Sequence, residues 1–188
     1  TEEISTTKEK RGSKKKDERD GGQRRESTED KTEGRKFLNI MYTNAKSIIS
    51  KLDELTLLVA DEKPDIILIT ESWCNHDITN AMITIQGYNL DTNLRQDRCD
   101  TMNGIGVGLL VYSKIGLVLK KINMDNDFNQ FCKFSIMNDK DDEKLNVTLI
   151  YRPPNSNNEN VDELMKLLQS TELHELIIGD FNVPSIDW

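Results

Sequence analysis

Two short aliphatic runs, each closed by an acid, set the terms on which this sequence can fold. Asp65-Ile-Ile-Leu-Ile-Thr leads into Glu71, and Glu175-Leu-Ile-Ile-Gly leads into Asp180. Runs of that length without polar alternation suit strands covered on both faces, as in layered α/β sheets. Strand ends are where such folds collect their sites, so both acids are candidate functional residues. Taken singly, each is as well explained as a polar residue that ends a strand and faces water.

The pattern between the two runs alternates strands with helices. Phe37–Thr43 reads as a buried first strand. Ser50, with Asp53 three places on, resembles a helix N-cap ahead of Leu52, Leu55, Leu58 and Val59, and Pro64 marks that helix's end. Residues 72–100 break into loop and edge structure. Val107–Tyr112, Val118–Ile122, Phe131–Ile136 and Leu145–Tyr151 read as an antiparallel run of strands separated by turn residues. Asn160, with Glu163 three places on, is expected to cap a second amphipathic helix through Val161, Leu164, Met165 and Leu168, followed by a strand at Glu175–Gly179. The order β-α-β, several strands, then α-β implies a layered α/β domain.

Charge divides the chain. Residues 1–36 hold 12 Lys/Arg and 10 Asp/Glu with Ile4 as their only apolar side chain, so nothing there drives collapse and a disordered charged linker is expected. Residues 37–188 carry 13 basic and 23 acidic residues, a net charge of −10, which fits a cation-binding site better than a nonspecific nucleic-acid surface. Three widely spaced cysteines without a C-x-x-C pair, and two distant histidines, predict reduced thiols and no zinc. No apolar run approaches the roughly 18 residues of a bilayer span and no signal peptide is evident. The expectation is an intracellular protein, nuclear and cytoplasmic, without a membrane partner. Asn103-Gly-Ile-Gly-Val-Gly108 lacks phosphate-loop spacing and reads as the lead-in to a strand.

Four motifs, in order, carry a resemblance. Tyr42-Thr-Asn44-Ala-Lys-Ser, Asp65-Ile-Ile-Leu-Ile-Thr-Glu71-Ser-Trp, Ile150-Tyr151-Arg-Pro-Pro-Asn and Ile178-Gly-Asp180-Phe-Asn182 resemble the endonuclease/exonuclease/phosphatase superfamily, in the branch carried by non-LTR retrotransposons. Leu52-Asp-Glu-Leu, Gly87-Tyr, Arg95-Gln-Asp97-Arg98 and the closing Pro184-Ser-Ile-Asp-Trp extend the similarity across 37–188.

The resemblance implies a DNase I-like four-layer α/β sandwich, two mixed sheets face to face with helices outside, incomplete at the C-terminus. It implies magnesium- or manganese-assisted nicking of DNA for target-primed reverse transcription, with a downstream reverse transcriptase as partner. Glu71 would be the metal ligand, and Asn44 would help position metal and phosphate. Asp180 would align or deprotonate the attacking water, Asn182 would donate to the phosphate, and Tyr151 would supply a hydroxyl to the developing charge. Asn44 and Asn182 read equally well as turn residues, and Tyr151 as a packing aromatic.

The sequence departs from the family at Ile105, where glycine is usual, and at its end, where the family continues to a late Asp and a Ser-Asp-His segment. His76 and His174 match neither and are expected at the surface. An uncovered apolar surface and an unpaired sheet edge are expected in consequence. A noncatalytic remnant of the domain, and a related phosphatase or exonuclease, are the alternative functions.

Overall fold

The computed structural model describes residues 37–101, 104–105, 107–128, 130–137, 143–171 and 174–183. The N-terminal tail and the closing Pro184–Trp188 motif lie outside them. The chain order is β1 (Ile40–Asn44), α1 (Ile48–Glu62), β2 (Ile66–Thr70), a 3-10 turn (Asn80–Ile83), β3 (Tyr88–Leu90), β4 (Asp100–Thr101), β5 (Gly104–Ile105), β6 (Leu110–Lys114), β7 (Leu119–Ile122), β8 (Phe131–Met137), β9 (Glu143–Tyr151), α2 (Asn158–Gln169) and β10 (Glu175–Asp180).

Two four-stranded mixed sheets form, ordered β1-β2-β6-β3 and β10-β9-β8-β7, while β4 and β5 make a small hairpin of their own. Each large sheet has the same plan. Its edge pair is parallel and joined by a single helix, β1-α1-β2 in one and β9-α2-β10 in the other, and the remaining pairings are antiparallel. Parallel neighbours need such a crossover, and a helix is the economical way to make one.

The cores follow from strand alternation. On β2, Ile67 and Ile69 pack with Ile48, Leu55 and Val59 of α1, while Ile66 and Leu68 face the other way and meet Phe134, Ile136, Val147 and Leu149 of the second sheet. On β9 the odd positions join this inter-sheet core, whereas Ile150 lies under Leu164 and Leu167 of α2. The result is helix, sheet, sheet, helix: the four-layer sandwich. Every residue of β2 is buried, which is why its sequence shows no polar alternation.

Some expected boundaries move. β1 begins at Ile40 rather than Phe37, which is 88% exposed. Helix α1 starts at Ile48, so Ser50 sits in its first turn, where its hydroxyl donates to the Ser47 carbonyl; no side chain caps this helix. Its early start comes from the backbone, because the Ile48 amide is already bonded to Ser72 O at 2.9 Å. Helix α2 is capped by Asn157, whose side chain accepts from the Asn160 amide at 2.9 Å. Asn160 itself is buried inside the helix. The four-strand antiparallel run divides: β6 pairs with β2 and β3, and only β7, β8 and β9 run on together. Leu110 and Tyr112 pack toward α1 while Leu109 and Val111 enter the inter-sheet core, so β6 is covered on both faces as an interior strand of the first sheet.

All three cysteines are free thiols, with Cys74 and Cys132 buried and Cys99 exposed. β1 and β10 are sheet edges, and each of their residues is only partly buried. Beside β10 lies an open apolar cleft of about 450 Å3, lined mainly by Val161, Leu164, Leu168, Ile177 and Phe181. Among the described residues no helix is long and apolar enough to cross a membrane.

Candidate active site

Alternation that builds the inter-sheet core also delivers the site to its mouth. Ile40 and Tyr42 of β1, Leu149 and Tyr151 of β9, and Leu176 and Ile178 of β10 all face that core. Continuing each strand in steps of two brings Asn44 and Asp180 to the same opening as Tyr151. The Asn44 amide nitrogen then donates to Glu71 Oε1 at 2.8 Å and to Asp180 Oδ2 at 3.0 Å. Asn44 and Asp180, 136 positions apart in sequence, are thus joined through this NH2 group.

Glu71 reaches this opening only because the strand pleat is broken. In regular extension it would follow Ile67 and Ile69 onto the α1 face. Its φ of 50° is left-handed, a conformation that costs an ordinary residue about 1–3 kcal/mol and persists where the surroundings enforce it. Here they do. Ser47 N–H donates to Glu71 O at 2.9 Å and Ile48 N–H to Ser72 O at 2.9 Å, from the start of α1. On the other side Ser72 N–H donates to Gly108 O at 3.2 Å and Trp73 N–H to Val107 O at 2.8 Å. Gly108, at φ +86°, leaves no room for a side chain: a Cβ there would lie 2.4 Å from Ser72 Oγ.

Asp180 depends on a glycine in the same way. Gly179 pairs with Ile150 across the parallel ladder, and a Cβ at Gly179 would lie 1.8 Å from the Ile150 carbonyl oxygen. The close approach keeps Asp180 in register with Tyr151. The Asp180 carboxylate also accepts from the Asn182 amide at 3.2 Å through Oδ1.

Burial pushes the Tyr151 phenol up to about 12, helped by the negative charges of Glu71 and Asp180 and by its hydrogen bond to Glu71. It therefore stays a donor across the neutral range. Tyr42, which the sequence reading passed over, stands two residues before Asn44 on the same face. Its hydroxyl is 3.1 Å from Thr70 Oγ1, and burial, with the charges of Asp180 and Glu71 behind it, raises its pKa. A tyrosine at alternation distance from a strand-end asparagine was the available signal.

The structure thus gathers Asn44, Glu71, Tyr151 and Asp180. Asn182 stands at the rim with a left-handed φ of 45°, and its amide nitrogen donates to the Arg152 carbonyl at 2.9 Å. Both histidines are exposed: His174 follows α2, and His76 pairs with Asp77 at the surface.

The donors suit a hard divalent cation. Asn44 Oδ1 is buried and accepts no hydrogen bond, because its NH2 must face the carboxylates and so turns the carbonyl oxygen away from them. Magnesium characteristically takes one or two protein carboxylates and completes its shell with water and phosphate oxygens. Among the described residues no cluster of three or more His, Cys, Asp and Glu is placed to hold a metal. The fit is therefore to a sparse, oxygen-only site and not to a dedicated cage.

The domain is thus a four-layer α/β sandwich with two carboxylates, an amide and a phenol at the mouth between its sheets. The sequence model of the Endonuclease/Exonuclease/phosphatase family matches residues 42–188, and the chain belongs to that family. No curated protein matches it. Among solved structures it is similar to an AP endonuclease from Archaeoglobus fulgidus (18% identity, TM-score 0.54, covering 78% of this chain and 58% of that one). It is also similar to the endonuclease domain of TRAS1, a telomere-specific non-LTR retrotransposon (14%, 0.51, 79% and 62%). The human Nocturnin catalytic domain is a third (16%, 0.51, 78% and 64%). These likenesses are of fold, and the chain spans 58–64% of the length of these three structures.

Proposed function

We propose that this chain carries the phosphodiester-hydrolysing site of a DNA-nicking endonuclease of the non-LTR retrotransposon type. A reverse transcriptase on the parent polyprotein would use the nick. The observation that carries the reading is the Asn44 amide joining Glu71 to Asp180 across both sheets. A purely structural role would not require two carboxylates to be brought together on one amide nitrogen.

In this reading Glu71 would hold magnesium, with manganese as a substitute, and Asn44 would help position the ion by fixing the Glu71 carboxylate through its NH2 group. When bound, the ion supplies charge to the phosphate oxygens and lowers the barrier to attack. Asp180, fixed by Asn44 and by the Asn182 amide, accepts a hydrogen bond from the attacking water and takes its proton. Tyr151 donates to Glu71 at rest and to a non-bridging phosphate oxygen as negative charge develops there. Asn182 spends one amide hydrogen on the Arg152 carbonyl, leaving the other for the phosphate.

The wider family includes phosphatases, and one solved structure similar to this chain is a 3' phosphatase from Neisseria (15% identity, TM-score 0.52). Hydrolysis of bis(p-nitrophenyl) phosphate, a diester, is compared with that of p-nitrophenyl phosphate, a monoester, with magnesium present. Diester turnover that disappears in Glu71→Gln supports the proposal. Turnover of the monoester alone would replace it with the phosphatase reading.

A further inference from the structure

The sequence puts an arginine between the candidate phenol and two prolines, Tyr151-Arg152-Pro153-Pro154. A residue before proline is driven toward extended backbone, so Arg152 prolongs β9 one step beyond its last paired position. Its amide then donates to Asp180 O at 2.8 Å, continuing the parallel ladder past the Tyr151–Asp180 pair. Its carbonyl receives the Asn182 amide nitrogen at 2.9 Å. Its guanidinium curls back and donates through Nη1 to Asn182 O at 2.6 Å and, more weakly, to Phe181 O at 3.4 Å.

Arg152 and Asn182 therefore hold one another's main chain, each through its side chain. Among the described residues neutral carbonyls, not a carboxylate, receive the guanidinium. Charge pairing does not explain the arrangement, but geometry does: one Nη1 amino group, its two hydrogens fixed in the guanidinium plane, reaches two successive carbonyls. The turn it grips is the one that needs gripping. Asn182 sits at a left-handed φ, and its N–H is the bond that orients Asp180 Oδ1.

We propose that Arg152 is a positioning residue for the hydrolytic site: it locks the Asp180–Asn182 turn in the left-handed conformation that aims the Asp180 carboxylate and presents Asn182 at the rim. The inference rests on the phosphodiesterase reading for its functional consequence, though not for the clamp itself. Among the described residues the Arg152 guanidinium donates to neither Glu71 nor Asn44, and it acts through the Asn182 turn.

The test compares wild type, Arg152→Ala and Arg152→Lys in the full chain with magnesium, after thermal melts select variants that keep the fold. Misplacing reacting groups by about 1 Å costs on the order of 10²-fold, so kcat of Arg152→Ala should fall by about that factor while KM changes by less than about twofold. Guanidinium ion added to Arg152→Ala should restore part of kcat while leaving wild type unchanged. Arg152→Lys should remain impaired, which covers the case in which the alanine variant does not fold.

Amide exchange followed by NMR reads the clamp without any substrate. The Asn182 N–H should exchange faster in either variant than in wild type. Unchanged exchange at Asn182 would overturn the proposal, as would a raised KM with unaltered kcat, which would make Arg152 a substrate contact. If wild type cleaves nothing while the variants free Asn182, the phosphodiesterase reading is lost and the clamp stands.

Discussion

At the scale of single residues, the site is a set of local backbone exceptions, each enforced by close neighbours. Glu71 leaves the pleat because the start of α1 and the approach to β6 hold its strand end from both sides. Gly179 is required because Ile150 O occupies the space a Cβ would need. Gly179→Ala should therefore lose about 3 kcal/mol of unfolding free energy in urea titrations, the upper part of the usual range for single substitutions. A variant as stable as wild type would mean the ladder can shift at no cost. Tyr151→Phe keeps the ring in the inter-sheet core and removes only the hydroxyl. Its expected outcome is an unchanged melting temperature with nicking slowed by about 10²-fold, the scale seen when one transition-state donor is lost. These exceptions also mark the limit of reading side chains from spacing. Asn44, Tyr151 and Asp180 lie in phase with strand alternation, but in the sequence the resemblance singled them out, together with a strand-end place for Asp180. The path of Glu71 was not legible, because a positive φ at a non-glycine residue is imposed by tertiary hydrogen bonds that no local pattern records. Tyr42 was legible in principle, since it shares alternation with Asn44, yet it looked like one more apolar strand residue.

At the scale of elements, hydrophobic pattern located every long strand and both helices, and capping chemistry was where it slipped. Both helices were expected to begin at a residue followed three places on by an acid, Ser50 with Asp53 and Asn160 with Glu163. In α2 the cap is Asn157, one turn earlier. In α1 no side chain caps at all, since the Ser47 and Ile48 amides are spent on Glu71 and Ser72 carbonyls. The helix start is part of the site's scaffold and not an independent local signal. The contrast is measurable: Asn157→Ala should cost about 1 kcal/mol, the ordinary worth of an N-cap, and Ser50→Ala should stay within about 0.5 kcal/mol. Equal losses at the two positions would return the cap to Ser50. The split of the expected antiparallel run has a similar cause. The unbroken apolar run reports that β6 is a strand buried on both faces but carries no information on which strand lies beside it.

At the scale of the whole molecule, two sheets of the same plan press their alternating faces together and leave the site at the seam. That closure has a chemical signature in the thiols. Burial pushes Cys132 up to about 12 and raises Cys74 as well. Both shifts run against the thiolate, the reactive form. Ellman's reagent at about pH 8 should find one fast thiol, the exposed Cys99, and the other two only after denaturation. Three fast thiols would mean that the layers do not close. Under the proposed function the acidic balance of residues 37–188 fits on the same scale, since a site of two carboxylates would take up a cation before a phosphate approached. The central claim, that Asn44, Glu71, Tyr151 and Asp180 together hydrolyse a phosphodiester, is tested most directly by nicking of supercoiled plasmid. Wild type and Asp180→Ala would be assayed with magnesium, with manganese and with chelator. The account predicts open-circular product from wild type with either metal, none with chelator, and none from Asp180→Ala; equal nicking by the two proteins, or nicking that survives chelation, would contradict it.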